Sequence, residues 1–89
     1  MKLNVTIEIW QKEDWFLAKA PELDFISQGK TLEQAKENLF EVIKIQFQEM
    51  EEMGTLEEYL AECGFEMGKD QILPRKALAG FEKSTLLIS

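Results

Sequence analysis

The sequence predicts an α+β domain in which a long helix packs across a small, mostly antiparallel sheet. Two observations carry this prediction. The beginning of the 89-residue chain alternates between polar and apolar side chains, as half-buried strands do. From Thr31 onward the apolar residues recur every three or four positions, which is the period of an amphipathic helix. The predicted order of elements is β-β-β-α-α-β, within one domain that covers residues 1–89.

Three predicted strands precede the first helix. Residues 2–10 form the first strand, and the polar residues 11–14 are a break of hairpin length. Residues 15–20 return as the second strand, which ends at Pro21 because proline cannot donate a ladder hydrogen bond. Residues 25–30 are a short third strand.

Two capping sequences mark the predicted helices. Thr31 begins a T-x-x-Q capping box, and the helical pattern covers residues 31–53 and ends at Gly54. Thr55 begins a second capping box, T-x-x-E, and the shorter helix that it opens ends at Gly64. At about 1.5 Å per residue, the first helix is long enough to cross a small sheet.

The sequence after Gly68 carries weaker signals. Pro74 is expected to begin a short helical turn, and residues 84–88, with the sequence S-T-L-L-I, are expected to form a last strand. The short segment after the second helix contains neither two further helices nor a basic strand. We therefore expect no separate DNA-binding domain.

The composition excludes several functions. Seventeen acidic and ten basic side chains give a net charge of −7, which is unfavourable for direct binding of nucleic acid through its phosphates. The absence of histidine excludes His-based acid–base catalysis and removes the commonest zinc ligand. No apolar run approaches the length that crosses a bilayer. We expect a cytoplasmic binding protein that is not an enzyme, with no metal, no cofactor and no membrane contact.

The single cysteine, Cys63, excludes an intramolecular disulfide and suits a reducing cytosol. It falls on the apolar stripe of the second predicted helix. Since the chain has no histidine to activate it, Cys63 is expected to pack as a small hydrophobic side chain rather than act as a nucleophile.

The net charge is concentrated in the predicted helices. Nine acidic and two basic side chains lie between Glu33 and Glu62, so this segment carries the whole excess of negative charge. Such a helix face is either a solvated surface or a recognition surface for a basic partner. The candidate partner-binding residues are Glu37, Glu41 and Glu51.

Trp10 and Trp15 flank the predicted hairpin break and are expected to face each other across it. If the apolar residues of the first strand point to the core, Trp10 has the opposite parity and lies on the outer face of the sheet. An apolar patch there indicates an interface, and a chain of this size buries only a modest core. The two tryptophans are therefore the candidate interface of a homodimer or higher homo-oligomer. The alternative is that the C-terminal segment of the same chain covers this end of the hairpin.

Residues 2–50 also carry an ordered set of short motifs. The second strand ends in Pro21-Glu22-Leu23, and the third leads into the long helix through Ser27-Gln28-Gly29-Lys30-Thr31-Leu32-Glu33-Gln34-Ala35. The helix continues with Glu37-Asn38-Leu39-Phe40-Glu41-Val42-Ile43. This combination resembles the P-x-L, S-Q-G-x-T-x-E-x-A and E-N-x-x-E-x-I pattern of the HicB-like antitoxins. One difference is Asp24-Phe25, which stands where such sequences commonly have Gly-Cys or Gly-Val.

The resemblance to the HicB-like antitoxins implies both a fold and a function. The implied fold is a partially degraded RNase H-like fold that lacks the carboxylate site of the nuclease. The implied function is to bind and neutralise a small, basic, HicA-like toxin that cleaves mRNA. The alternative function is an orphan HicB-fold module for protein binding or assembly that has no toxin partner.

Overall fold

The computed structural model of the chain describes residues 2–76 and 78–88. This part of the chain contains six strands and two helices, which are β1 (Lys2–Leu3), β2 (Glu8–Lys12), β3 (Trp15–Ala20), β4 (Phe25–Gly29), α1 (Leu32–Met53), α2 (Leu56–Glu62), β5 (Phe65–Met67) and β6 (Gln71–Pro74). The long helix α1 packs on β3 and β4, so the predicted α+β class is confirmed. The strands form two small sheets, ordered β2-β3-β4 and β1-β6-β5, rather than one.

The sheet β2-β3-β4 is antiparallel, and its first turn contains only two residues. β2 continues to Lys12, which pairs with Trp15, so the four-residue break predicted at 11–14 is too long. Glu13 has a φ of 57°, the left-handed conformation that tight hairpin turns use. β3 then pairs with β4 along five residues.

The predicted first strand, 2–10, is divided in the structure into β1 and β2, so the prediction of one continuous strand is wrong. Continuing the register of β2 with β3 would place Pro21 opposite Thr6. Continuing the parallel register of β1 with β6 would place Pro74 opposite Val5. Because neither proline can donate a ladder hydrogen bond, both ladders stop here and the two sheets separate.

Both ends of α1 are fixed by contacts that the sequence predicts. The N–H of Gln34 donates to Thr31 Oγ1 at 3.0 Å, and the Gln34 side chain accepts the N–H of Lys30 at 2.6 Å. At the other end Gly54 has a φ of 75° and donates its N–H to the Glu51 carbonyl at 3.1 Å. α1 therefore begins and ends where the capping pattern predicts.

The second helix lies where its sequence predicts, but it lacks the predicted cap. The side chain of Thr55 accepts no hydrogen bond from the first turn of α2. Its hydroxyl instead donates to the Met50 carbonyl at 3.4 Å, which ties the start of α2 to the end of α1. Gly64 follows α2 with a φ of 90° and turns the chain into β5.

The core lies between α1 and the sheet β2-β3-β4 and continues beneath α2. A Cβ at Gly29 would lie 2.6 Å from the Ala35 nitrogen, so glycine is what allows β4 to lie against the first turn of α1. The buried hydrophobic residues of the described chain are Ala18, Ala20, Leu23, Ala35, Leu39, Leu56, Leu60, Phe65 and Ile72. Several of these are alanines, which is consistent with a close approach of helix to sheet but limits the apolar area that the core buries.

The C-terminal segment departs from the sequence prediction. Pro74 ends β6 and does not begin a helical turn, and the antiparallel pair of β5 and β6 was not predicted. The strand predicted at residues 84–88 is not formed. The whole stretch 78–88 is exposed and has no regular secondary structure. A segment of strand composition becomes a strand only where a sheet edge pairs with it. Residues 78–88 are called the C-terminal arm below.

Candidate interaction surfaces

The outer face of the sheet β2-β3-β4 is apolar. Trp10 pairs with Leu17, and alternation along the strands places Trp15 and Ile26 on the same side, opposite to α1. We call Trp10, Trp15, Leu17 and Ile26 the tryptophan face. Trp10 is 56% exposed, Trp15 41% and Ile26 58%, while Leu17 is half-buried. The structure therefore brings both predicted residues onto one exposed surface.

The predicted contact between the two tryptophans is wrong. Trp10 lies opposite Leu17 and Trp15 lies opposite Lys12, because the turn has two residues instead of four. The two indoles are thus diagonal neighbours on one face of the hairpin rather than a directly opposed pair. The sequence also gave no reason to add Ile26, which joins the face through the register of β4 with β3.

Lysines border the tryptophan face. Lys12 and Lys19 share its side of the sheet by alternation. The Lys30 ammonium lies 5.5 Å from the centroid of the Trp15 ring, which is within the range of a cation–π contact. Glu8, opposite Lys19, lies on the same side, so the outer face is apolar with a mainly basic border, whereas the excess acidic charge is carried by α1 and α2.

The solvent side of α1 carries Glu37, Glu41 and Glu51, which we call the acidic face. All three are exposed, and helical geometry at 100° per residue keeps them within an arc of about 80°, which also contains the exposed Lys44, so the face is acidic in excess rather than throughout. Glu37 and Glu41 are one turn apart, whereas Glu51 lies roughly 15 Å further along the axis. In residues 2–76 and 78–88 the only ion pair joins Arg75 to Glu66 at 3.6 Å, so none of the three carboxylates is neutralised by one.

Glu51 differs from the other two in its surroundings. It borders a cavity of about 390 Å³ between the C-terminal half of α1 and the sheet β1-β6-β5, which is also lined by Phe47, Leu56 and Ile72. Glu37 and Glu41 face open solvent. The acidic face is thus an extended surface, about 21 Å from Glu37 to Glu51, and suits a partner that lies along the helix rather than a small ligand.

A cleft of about 740 Å³ opens where the two sheets separate, and no sequence pattern indicates it. The stretch between β1 and β2 lines one side, and Pro21, Phe65 and Leu78 line others. The carboxylate of Glu22 closes part of it by accepting the Thr6 N–H at 3.0 Å and the Thr6 hydroxyl at 2.8 Å. The cleft lies where both ladders end, just before the positions at which Pro21 and Pro74 would have to pair. It therefore depends on how distant strands pair and not on any local pattern.

Tyr59 joins α2 to the turn after β3. Its hydroxyl donates to the Leu23 carbonyl at 2.5 Å, and its ring stacks on Phe25 with a centroid distance of 6.0 Å. Burial raises the pKa of Tyr59 to about 12, with smaller contributions from the neighbouring Cys63 thiol and from the charge of Asp24. Cys63 is half-buried against the core. The phenol therefore stays protonated at neutral pH and serves as a structural donor.

Two further features bear on chemistry. In the part of the chain that the structure describes, no three His, Cys, Asp or Glu side chains are grouped so that they could hold a metal ion. Neither helix of these residues is long and apolar enough to cross a membrane.

The chain matches no family model, no curated protein and no solved structure. The likeness to the HicB-like antitoxins therefore rests on the sequence motifs of residues 2–50 alone.

Proposed function

We propose that this protein is a HicB-like antitoxin that binds and neutralises a small, basic, HicA-like mRNA-cleaving toxin, and that it acts in the cytoplasm without being an enzyme. The observation that carries the proposal is the acidic face of α1, whose carboxylates are exposed and have no ion-pair partner in the described chain. Surfaces of one charge sign steer an oppositely charged partner and raise association rates by about 10- to 1,000-fold at low salt.

The two longer motifs of the HicB-like pattern have different roles in the structure. In the S-Q-G-x-T-x-E-x-A stretch, Gly29 permits the contact with α1, Thr31 caps the helix and Ala35 is buried. These residues build the joint between β4 and α1. A fold-building role thus accounts for this motif without any partner contact.

The E-N-x-x-E-x-I stretch is different. Asn38 donates to the Gln28 carbonyl at 2.9 Å, and Ile43 packs against the core. Glu37 and Glu41 are exposed and take part in no hydrogen bond or ion pair within the described residues. The fold uses the asparagine and the isoleucine of this pattern, and the two glutamates are left for an outside contact.

The backbone at Asp24 also supports the resemblance. HicB-like sequences commonly have glycine at this position, and Asp24 has a φ of 58°. Glycine adopts that conformation freely, and aspartate is one of the few other residues that tolerates it. The difference in sequence is therefore compatible with the same turn.

A charge-reversal experiment tests the antitoxin proposal. The protein is co-expressed with the product of any short, basic, histidine-containing reading frame that adjoins its own, and the affinity of the purified pair is measured at about 0.05 and 0.5 M salt. The triple variant Glu37→Lys, Glu41→Lys, Glu51→Lys should bind about tenfold or more weakly at low salt, because exposed charge pairs contribute up to about 1 kcal/mol each. The defect should shrink at high salt, where exposed charges are screened.

The matched control is Glu57→Lys, Glu62→Lys, Asp70→Lys, which changes the net charge equally at exposed positions outside α1, the hairpin and the C-terminal arm. This control should bind almost as tightly as the parent protein. Equal affinity of parent and triple variant at both salt concentrations would contradict the role of the acidic face. Failure of the neighbouring protein to bind at all would favour the alternative, an orphan HicB-fold module for protein binding or assembly.

The area of exposed surface supports self-association, and we include a homodimer or higher homo-oligomer in the proposal. The chain exposes 7398 Å², whereas a compact monomer of 10.3 kDa exposes about 5,400 Å². Its radius of gyration is 15.4 Å, against about 12 Å for a compact domain of this length. The excess area, about 2,000 Å² per chain, is larger than the roughly 800 Å² that each partner buries in a standard interface, and the exposed residues 78–88 contribute to it. Trp10 and Trp15 are the proposed centre of this interface.

A further inference from the structure

We propose that the C-terminal arm of one copy adds as a strand to the free edge of β2 in a second copy and covers its tryptophan face. This inference rests on the proposed self-association and not on the toxin partner. The arm ends in three apolar residues, Leu86, Leu87 and Ile88, of which each is at least 78% exposed. Consecutive apolar side chains with this exposure are unusual in a folded chain and indicate a surface that is buried elsewhere.

The sheet β2-β3-β4 offers two edges, and they are not equivalent. On β4 the carbonyl of Gln28 already accepts the side-chain amide of Asn38, so α1 partly occupies that edge. β2 pairs only with β3 in the described chain, and its other edge carries no strand. Because Trp10 lies on β2, a strand added there would lie directly beside the tryptophan face.

In an extended arm, alternate side chains would meet apolar residues on both faces of the sheet at the β2 edge. In an extended S-T-L-L-I segment, Leu86 and Ile88 point to one side and Leu87 points to the other. With Leu86 and Ile88 toward Trp10, Leu87 points to the core side, where Ile9 is half-buried. All three apolar residues therefore gain apolar neighbours at once.

The direction of the chain favours a second copy over the arm's own sheet. β6 runs parallel to β1, so an arm that continued along its own β2 would pair in parallel, which is the slightly weaker arrangement. A two-fold axis lets two copies exchange arms reciprocally and can pair each arm antiparallel to β2. Leu78 lies in the cleft beside Thr6 and Glu8, so the arm begins close to the start of β2. When two copies meet at this edge, only a short stretch of chain is needed for each arm to reach the other copy.

Engineered cysteines test this arrangement in the full-length protein. Cys63→Ser removes the native thiol in every variant. One chain then carries Lys12→Cys on β2, and another carries Ser84→Cys in the arm. Oxidation of the mixture should give a disulfide-linked dimer. Replacing Lys12→Cys by Gln48→Cys, on the exposed side of α1, should give at least about tenfold less cross-linked product.

Two single chains separate exchange from self-covering: Lys12→Cys with Ser84→Cys, which antiparallel exchange brings together when Leu86 lies opposite Trp10, and Glu8→Cys with Ser84→Cys, which a parallel arm on its own β2 would bring together. Exchange predicts dimers or larger species on a non-reducing gel. A disulfide within one chain, at monomer mass, would overturn the proposal in favour of an arm that covers its own hairpin.

Sedimentation provides a second measurement. A chain that ends at Lys83 should dissociate with a dimer Kd at least about 100-fold higher than that of the full chain, because it loses the burial of three apolar side chains. A dimer of unchanged stability after this truncation, or a full-length chain that is monomeric at 50 µM or above, would also overturn the arm exchange. Toxin binding measured separately on the same truncated chain distinguishes failure of this inference from failure of the antitoxin proposal.

Discussion

The sheet β2-β3-β4 and the sheet β1-β6-β5 are supported to different degrees within one chain. The first has five paired residues in each ladder, a tight hairpin and a long helix packed on its inner face. The second is held by two parallel pairs and three antiparallel pairs, and the larger cleft and the smaller cavity both adjoin it. The comparison teaches that contacts between neighbours in the chain build the sheet β2-β3-β4, whereas the sheet β1-β6-β5 depends on short ladders between distant segments and is bordered by open space.

The largest expected effect comes from truncating one core residue in each region. Leu39→Ala should lower the free energy of unfolding by about 2–5 kcal/mol, because Leu39 is fully buried between α1 and the first sheet. Ile72→Ala in β6 should cost about 1–2 kcal/mol, since Ile72 already adjoins a cavity of about 390 Å³ and loses fewer contacts.

Urea unfolding of both variants at one fixed protein concentration measures this difference, because self-association would otherwise change the apparent stability. Equal losses would show that the second sheet is as well supported as the first. A larger loss for Ile72→Ala than for Leu39→Ala would reverse the comparison.

An intermediate effect is expected where the two sheets separate. Glu22→Gln keeps the shape of the side chain but removes its charge and replaces one acceptor oxygen by an amide nitrogen that cannot accept from Thr6, so it should cost about 1–2 kcal/mol. Glu8→Gln is the matched control, because Glu8 lines the same cleft and makes no hydrogen bond or ion pair with its side chain in the described residues. We expect it to change stability by less than about 0.5 kcal/mol. The same loss in both variants, measured by urea unfolding, would mean that the Thr6–Glu22 contact does not stabilise the junction.

The difference between local and long-range contacts explains which parts of the fold could be predicted from the sequence. The capping contacts of Thr31 and the glycine at position 54 act within a few residues, so the bounds of α1 follow from local pattern. The interruption of the first strand depends on Pro74, which is 69 residues from Val5 in the chain and would come opposite it only if the parallel register of β1 with β6 continued. No local pattern reports such a contact.

The candidate surfaces divide in the same way. Helical spacing predicts that Glu37, Glu41 and Glu51 share an exposed face, and the structure places them there. Strand parity places Trp10 on the outer face, but its true neighbour, Leu17, depends on whether the turn has two residues or four. A register shift of this kind changes every cross-strand pair, which is why the face was predicted and its contacts were not.

The smallest expected effect concerns Tyr59, whose hydroxyl links α2 to Leu23 in the turn between β3 and β4. Its pKa is raised to about 12 in the folded chain from a usual value of 10.0, chiefly by burial. The folded state therefore keeps the phenolic proton between pH 10 and 12 while the unfolded state loses it, and stability from this group falls as pH rises through that range. Below pH 10, Tyr59→Phe should cost about 1 kcal/mol through the lost hydrogen bond. Above pH 10 this difference from the parent protein should narrow, because only the parent carries the titrating phenol. Urea unfolding of both proteins at pH 8 and pH 11 measures it, and a difference that widened with pH would mean that the folded state favours the ionised phenol.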